Sequence, residues 1–267
     1  MTYHTLQIIQ QGPRATMWLN RPDVRNAFNE TSITEITQAF RVLDKERDVR
    51  VIILAARGTA FCAGADLNWM KKMASYSEEE NFADAKALAE MMQVIYQCNK
   101  PTIARVQGDC YAGGMGLVAA CDMAVAVETA GFCLSEVRLG LIPATISPYV
   151  IRAIGERASR RYFLTAERFD AREAQRMGLV NEVVAADQLD HAIDKIVHAL
   201  LACSPHAIDE AKRLVRDVSG ESIEPELVTE TVRRIAQIRV SEQGREGVQA
   251  FLNKRKPAWI TDTSNAS

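Results

Sequence analysis

The chain has 267 residues, of which 48% are hydrophobic and 25% charged, and its formal net charge is −2. This composition is typical of a globular protein that is long enough to bury a large core without disulfides or metal. The balanced charge argues against a nucleic-acid partner, and the lack of an apolar run of roughly 18 residues argues against a membrane span. Residues 1–10 lack a secretory pattern. We therefore expect a cytoplasmic protein.

Hydrophobic patterning predicts alternating strands and helices in the first half of the chain. Two strands, over residues 6–9 and 15–19, are joined by a Gly12-Pro13 turn. The elements that follow are a loop over 21–26, a helix over 31–44, a buried strand over 49–54, a loop over 58–64, a helix over 81–97, a strand over 102–106, a loop over 108–116, the start of a helix over 117–120 and a strand over 123–127. This alternation predicts right-handed crossovers and a largely parallel, covered sheet.

From Pro148 onward the pattern is almost wholly helical. The predicted elements are helix-forming sequence over 168–178, an extended segment over 179–184, and helices over 189–203, 207–218 and 224–250. We therefore predict an α/β core over residues 1–197, which contains the active site, and a helical C-terminal region over residues 198–267.

The cysteines and histidines give little support for a metal site. The six cysteines form no C-x-x-C pair and mostly stand beside small or apolar residues, which favours reduced, buried thiols. His191 and His198 lie seven residues apart with three aspartates nearby, a spacing that fits a solvated helix face better than a metal site. We predict no bound metal.

Two loops of small residues carry the first chemical signal. Ala60–Leu67 and Gly108–Gly116 each follow a predicted strand. Such turns expose backbone N–H groups, and the dipole of a following helix adds partial positive charge. Taken alone, each loop is explained better by tight packing, and the second matches neither the dinucleotide fingerprint nor the P-loop.

A single carboxylate provides the second signal. Glu136 stands in the otherwise apolar stretch Phe132–Pro143. A carboxylate in apolar surroundings tends to have a raised pKa, which suits proton transfer near neutral pH. An exposed glutamate paired with Arg138 explains the stretch equally well.

Together these segments resemble the crotonase superfamily of enoyl-CoA hydratases and isomerases. The first loop matches that family's first oxyanion motif, and Lys100–Gly108 followed by Ala112-Gly-Gly matches the second. Later signatures match over residues 178–183 and 245–256, so the likeness covers nearly the whole chain. The resemblance implies an α/β, crotonase-like spiral of ββα turns, a helical C-terminal trimerisation region, and a homotrimer or a dimer-of-trimers hexamer.

The resemblance also implies roles for individual residues. The backbone N–H groups of Ala65 and Gly113 would form an oxyanion hole for the enolate of an acyl-CoA thioester, and Glu136 would be the catalytic carboxylate. No separate cofactor is implied, because CoA is part of the substrate. The positions that match the CoA site are Arg25, Ala27, Ala63, Asp66 and Leu67, together with Phe251 and Lys254, which match residues that reach the CoA of a neighbouring subunit.

One departure from the family pattern bears on the reaction. Two-glutamate hydratases carry their first catalytic glutamate three residues after the oxyanion glycine, where this chain has Gly116. With Glu136 alone, proton shuttling by an isomerase is the simpler chemistry. The string Cys133–Pro148 nevertheless looks most like bacterial methylglutaconyl-CoA hydratases of leucine breakdown, and also like isohexenylglutaconyl-CoA hydratases of terpene breakdown. We expect the leucine-pathway hydratase, with a non-catalytic CoA-binding scaffold as the alternative from another class.

A glutaconyl-type substrate would bring a second carboxylate, which needs a cation if it is to be buried. Lys71 and Lys72 follow the first loop, and Arg138 follows Glu136. We expect one of these three to bind that carboxylate, although an exposed lysine pair would explain the first two equally well.

Overall fold

The computed structural model describes residues 2–260. Its strands are β1 (Leu6–Gln11), β2 (Arg14–Leu19), β3 (Val51–Ala56), β4 (Ala60–Cys62), β5 (Thr102–Val106), β6 (Asp109–Tyr111), β7 (Met123–Val127), β8 (Gly131–Cys133), β9 (Phe169–Asp170) and β10 (Glu182–Val184). Its α-helices are α1 (Glu30–Lys45), α2 (Leu67–Met73), α3 (Glu78–Gln97), α4 (Gly113–Ala120), α5 (Ser147–Thr165), α6 (Ala171–Met177), α7 (Leu189–Leu201), α8 (Pro205–Val218), α9 (Pro225–Val240) and α10 (Glu242–Leu252).

The larger sheet has six strands in the order β1-β2-β3-β5-β7-β10. Only β1 and β2 pair antiparallel, and the other neighbours are parallel. Every residue of β3 is buried, as expected for a central parallel strand covered on both faces. The predicted α/β class and the largely parallel sheet are therefore confirmed.

A second sheet, of four short strands in the order β4-β6-β8-β9, was not predicted from the sequence. Strands β4 and β6 lie inside the segments that the sequence predicts to be loops, 58–64 and 108–116. The neighbours β4, β6 and β8 are parallel to one another, and β9 is antiparallel to β8. With only two or three residues each, these strands show no periodicity, and pairing with distant segments defines them.

The C-terminal part is helical as predicted, but residues 224–250 do not form one helix. They divide into α9 and α10 at Ser241. The Ser241 hydroxyl donates to the Ile238 carbonyl at 2.7 Å and accepts from the Gly244 N–H at 3.0 Å, so one side chain ends the first helix and caps the second.

The chain forms two compact units. Within the described residues, the first comprises 2–98 and 102–195, and the second comprises 99–101 and 196–260. In the first unit, the helix-face aspartates Asp190 and Asp194 form ion pairs with Arg105 and Arg14 of the larger sheet, although the sequence predicts a solvated stripe. No helix in the described part of the chain is long and apolar enough to cross a membrane.

Candidate active site

Three residues that the sequence singles out follow the carboxyl ends of three adjacent strands. Ala65 follows β4, Gly113 follows β6 and Glu136 follows β8, and these parallel strands are neighbours in that order. The carboxyl edge of parallel strands is where α/β proteins characteristically bind ligands. The smaller sheet therefore brings the two candidate oxyanion donors and the candidate carboxylate to one edge.

The first loop is held in place by backbone pairing to Phe28. The Phe28 N–H donates to the Gly64 carbonyl at 2.9 Å, and the Asp66 N–H donates to the Phe28 carbonyl at 3.0 Å. These two hydrogen bonds form a parallel β-bridge between Phe28 and Ala65, in which the N–H of Ala65 points away from Phe28. That N–H has no hydrogen-bond partner among residues 2–260, so it is available to a ligand.

Hydrogen bonds from two further residues hold the segment that contains Phe28 against the first loop and its neighbours. The buried Asn26 donates from its amide to the carbonyls of Arg57 and Ala60, at 2.7 and 2.9 Å. Arg21 donates to the Asp66 carboxylate at 2.8 Å. The sequence predicts only a loop over residues 21–26 and no role for either residue. The only signal in the sequence is an asparagine in a loop, since asparagine adopts a positive φ more readily than most residues, and Asn26 has φ 55°.

The second loop turns through a strained residue. Ala112 has φ 47° and ψ −123°, a region that costs a non-glycine residue about 1–3 kcal/mol. Its N–H donates to the Cys133 carbonyl at 2.8 Å, which extends the β6–β8 pairing by one residue. Gly113 then begins α4, and its N–H has no partner in the described part of the chain. The partial positive charge at the start of the helix favours an anionic oxygen there.

The two loops pack directly against each other. A β-carbon on Gly64 would lie 3.0 Å from the Ala112 β-carbon, and one on Gly114 would lie 2.8 Å from the Cys62 β-carbon. One on Gly113 would lie 2.3 Å from Cζ of Phe28, the residue whose backbone pairs on either side of Ala65. Phe28 therefore contacts both oxyanion candidates. The glycines allow a close approach that no larger residue could make.

Glu136 begins a short 3₁₀ turn, Glu136–Leu139, and is half-buried. Its Oε2 atom is fully buried and has no hydrogen-bond partner in the described structure. Burial raises the pKa of the carboxyl group, and a hydrogen bond from its own backbone offsets this only in part. The Arg138 pairing that the sequence allowed is not formed. Glu136 thus has the character of a general acid–base group.

The residues matched to the CoA site differ in exposure, and one of them, Asp66, has a structural role. Leu67 is exposed, Ala63 is half-buried, and Ala27 is buried. The Asp66 carboxylate caps α2 and pairs with Arg21. Burial alone would raise its pKa, but these partners lower the pKa below its ordinary value. The Asp66 side chain is therefore committed within the fold, and its backbone is the part left to contact a ligand.

Arg25 belongs to a cluster that the sequence did not reveal. It pairs with Asp109 at 3.1 Å, and its guanidinium lies 5.8 Å from the Tyr111 ring centre. Arg168 contacts the same two residues, at 3.4 and 5.1 Å. Burial, followed by the hydrogen bond to Asp109, raises the pKa of Tyr111 to about 12. Two half-exposed guanidinium groups thus share one carboxylate.

The three cations considered for a substrate carboxylate differ in availability. Lys72 pairs with Glu30 at 3.1 Å. Lys71 and Arg138 are exposed, and neither side chain has an ion-pair partner among residues 2–260. In the C-terminal unit, Phe251 is exposed and Lys254 has a positive φ of 53°. Across the described chain, no three His, Cys, Asp or Glu side chains are grouped to hold a metal ion.

Comparisons with known proteins agree on one family. Residues 11–262 match the family described as enoyl-CoA hydratase/isomerase. An enoyl-CoA hydratase of Alternaria alternata is 31% identical over 257 residues, which cover 94% of this chain and 82% of the relative. The crystal structure of an enoyl-CoA hydratase from Shewanella pealeana is 45% identical with a TM-score of 0.94, covering 96% of each chain. That of an enoyl-CoA hydratase from Mycobacterium smegmatis is 34% identical with a TM-score of 0.91, covering 97% of this chain and 100% of the other.

Proposed function

Because the chain belongs to the enoyl-CoA hydratase/isomerase family, we propose that it adds water across the 2,3 double bond of an enoyl-CoA thioester. One observation carries this proposal: two backbone N–H groups and one buried carboxylate oxygen, none of which has a partner among residues 2–260, follow three adjacent strand ends. Backbone donors stabilise an enolate oxygen, and a carboxyl group with a raised pKa moves protons.

In the proposed mechanism, the N–H groups of Ala65 and Gly113 bind the thioester oxygen and stabilise the charge that develops on it. Glu136 accepts a proton from water as the water oxygen bonds to C3. The electrons of the double bond move onto the thioester oxygen, giving the enolate, and C2 then takes a proton from Glu136. The carboxylate is regenerated, so water is the net addition and no cofactor beyond the CoA of the substrate takes part.

We propose 3-methylglutaconyl-CoA as the substrate and 3-hydroxy-3-methylglutaryl-CoA as the product, as in leucine breakdown. The resemblance of Cys133–Pro148 to methylglutaconyl-CoA hydratases supports this choice. The availability of Lys71 and Arg138 for a second carboxylate agrees with it, whereas Lys72 would first have to leave Glu30. An isohexenylglutaconyl-CoA is the alternative substrate, and isomerisation by Glu136 alone is the alternative reaction.

For CoA we propose contacts with Arg25, Ala27, Ala63, Leu67 and the backbone of Asp66. Phe251 and Lys254 would reach the CoA of a neighbouring subunit.

This last role requires an oligomer, and we propose a homotrimer or a dimer of trimers. Three apolar residues at helical spacing on α9, Val228, Val232 and Ile235, are exposed, as are Val248 and Phe251 on α10. Burying such a surface is a strong drive for association. Sedimentation should give three or six times the 29.6 kDa chain mass, whereas a monomer would refute the proposal.

The proposed reaction is tested by following the loss of enoyl absorbance with 3-methylglutaconyl-CoA, 3-methylcrotonyl-CoA and crotonyl-CoA. Glu136→Gln keeps the shape of the side chain but removes the base, so turnover should fall by about 10²–10⁴. Binding of a saturated acyl-CoA should persist, because the backbone donors remain. Near-normal hydration by this variant would mean that another residue is the base.

A second measurement separates the alternatives. Solvent deuterium exchange at C2 of a saturated acyl-CoA requires proton abstraction without water addition, and it should depend on Glu136. An isomerase would move the double bond without hydrating it. A CoA-binding scaffold would bind the ester but show neither hydration, isomerisation nor exchange.

Single alanine variants of Lys71, Lys72 and Arg138 test the distal carboxylate. The variant that removes the cation should lower the preference for 3-methylglutaconyl-CoA over 3-methylcrotonyl-CoA, because only the first carries the charge. If all three variants keep the preference, the assignment of a cation among them is wrong.

A further inference from the structure

One tryptophan attaches helix α2 to the core beside the first loop. Of the residues of α2, Leu67–Met73, only Trp69 is buried, and its side chain is 3% exposed. Its backbone N–H donates to the Asp66 carboxylate at 3.4 Å, and Asp66 directly follows Ala65. The position of Trp69 is therefore tied to the loop that carries one of the two oxyanion candidates.

The Trp69 ring packs against Phe28. The two ring centres lie 6.2 Å apart with an angle of 58° between the planes, and Phe28 is also 3% exposed. Aromatic rings at this separation stabilise each other beyond the area that they bury. Phe28 in turn lies against Gly113, and its backbone pairs on either side of Ala65. A displacement of the Trp69 ring would therefore reach both oxyanion candidates.

The orientation of the Trp69 ring is fixed by a carboxylate on α3. The indole N–H of Trp69 donates to Asp84 at 3.0 Å, and a buried indole N–H normally requires such an acceptor. Asp84 is half-buried, whereas every other residue of the first half of α3, Glu78–Ala87, is exposed. Burial raises the pKa of Asp84, and the hydrogen bond from Trp69 offsets this in part. In this half of the helix, Asp84 is thus the residue directed towards the core.

We propose that Trp69 is a positioning residue for the oxyanion hole. Asp84 fixes the orientation of its ring, and the ring holds Phe28 against the two loops that carry Ala65 and Gly113. A misplacement of about 1 Å, even by a group remote from the chemistry, can cost about 10²-fold in rate. This inference rests on the proposed function, because it requires the two backbone donors to stabilise an enolate.

The assay is solvent deuterium exchange at C2 of isovaleryl-CoA, the saturated counterpart of 3-methylcrotonyl-CoA. Glu136 removes the C2 proton, the electrons of the C–H bond move onto the thioester oxygen, and a deuteron from solvent returns to C2 by way of Glu136. Exchange therefore needs the oxyanion hole whether the enzyme adds water or moves a double bond.

The first test replaces Trp69 with phenylalanine, which keeps an aromatic ring but removes the indole N–H. The exchange rate at saturating isovaleryl-CoA should fall by about tenfold to 10²-fold. The Kd of the same ester should stay within about threefold, because an oxyanion donor binds the enolate more strongly than the ester.

Tyr162→Phe is the matched control. Tyr162 is also 3% exposed, and its hydroxyl donates to the Glu173 carboxylate at 2.9 Å, but its ring packs against Phe169, with ring centres 4.4 Å apart. This variant should lower the thermal unfolding midpoint and leave exchange by the folded protein within about twofold.

Two substitutions of Asp84 separate the orientation of the ring from its packing. Asp84→Asn retains an oxygen that can accept from the indole N–H, so exchange should stay within about threefold of normal. Asp84→Leu has a similar size but no acceptor, so exchange should fall as far as in Trp69→Phe. In a Phe28→Ala background the ring that Trp69 holds is absent, so Trp69→Phe should cause a much smaller additional loss.

The outcomes distinguish this role from the proposed function. Equal exchange by Trp69→Phe and Tyr162→Phe, or the same additional loss with and without the Phe28 ring, would overturn the positioning role alone. If Trp69→Phe does not fold, the Asp84 variants decide, and equal exchange by Asp84→Asn and Asp84→Leu would overturn the role. If the unmodified protein catalyses neither exchange, hydration nor isomerisation, the proposed function fails, and the role of Trp69 fails with it.

Discussion

Gly113→Ala tests how packing around Phe28 sets the oxyanion hole. The new β-carbon would lie 2.3 Å from Cζ of the Phe28 ring, whereas carbon atoms in contact are about 3.5–4.0 Å apart. The ring or the loop must therefore move by more than about 1 Å. Phe28 is buried, and its backbone pairs with Gly64 and Asp66 on either side of Ala65, so a shift of the ring would also disturb the second donor.

Gly113→Ala should lose at least the transition-state stabilisation that one oxyanion donor provides. Removing one such donor from an enzyme costs about 2.7–4 kcal/mol, or about 10²–10³ in kcat. Hydration should be measured by enoyl absorbance, and folding by circular dichroism, so that lost turnover is separated from lost structure. Gly12→Ala is the control for backbone strain without a clash, because Gly12 has a positive φ of 56° and no described atom lies within 4 Å of its β-carbon position; it should lower the free energy of unfolding but leave the turnover of folded enzyme unchanged.

A double substitution then tests the cause. In a Phe28→Ala background the ring is absent, so Gly113→Ala should cause a much smaller additional loss. Near-normal turnover by Gly113→Ala, or the same additional loss with and without the ring, would refute the reasoning.

The remaining predictions concern charge, strain and assembly. The raised pKa of Glu136 should place the acid limb of kcat/KM above the ordinary glutamate pKa. Because folding raises the pKa of Glu136, ionisation of its carboxyl group opposes folding once the pH exceeds the ordinary glutamate pKa. Glu136→Gln should therefore increase the thermal unfolding midpoint at pH 7 while turnover falls. An unchanged midpoint would contradict the burial argument. Ala112→Gly should raise the free energy of unfolding by about 1 kcal/mol in chemical denaturation, since glycine adopts φ 47° and ψ −123° without strain, and a loss of stability would contradict this. Val232→Asp should shift the sedimenting species towards the monomer, and an unchanged species would remove the α9 face from the interface.

Local patterns in the sequence were sufficient for the elements that local chemistry controls. The apolar run at β3 predicts a buried strand, and the spacing of apolar residues in α1 predicts a helix with one apolar face, because backbone geometry repeats every two or about 3.6 residues. The motif residues Ala65, Gly113 and Glu136 were also located from the sequence, although their roles stay predictions.

The tertiary structure alone decided how those motifs are brought together. Strands β4, β6, β8 and β9 are too short to have a period, so their existence depends on hydrogen bonds to segments far away in the chain. Tertiary packing also decides that Phe28 contacts Gly113 and that Ile146 contacts Gly116. These residues are far apart along the chain, and nothing in the sequence indicates that they meet. The sequence indicates which groups can do chemistry, whereas long-range packing determines which of them meet and which side chain fills the space between them.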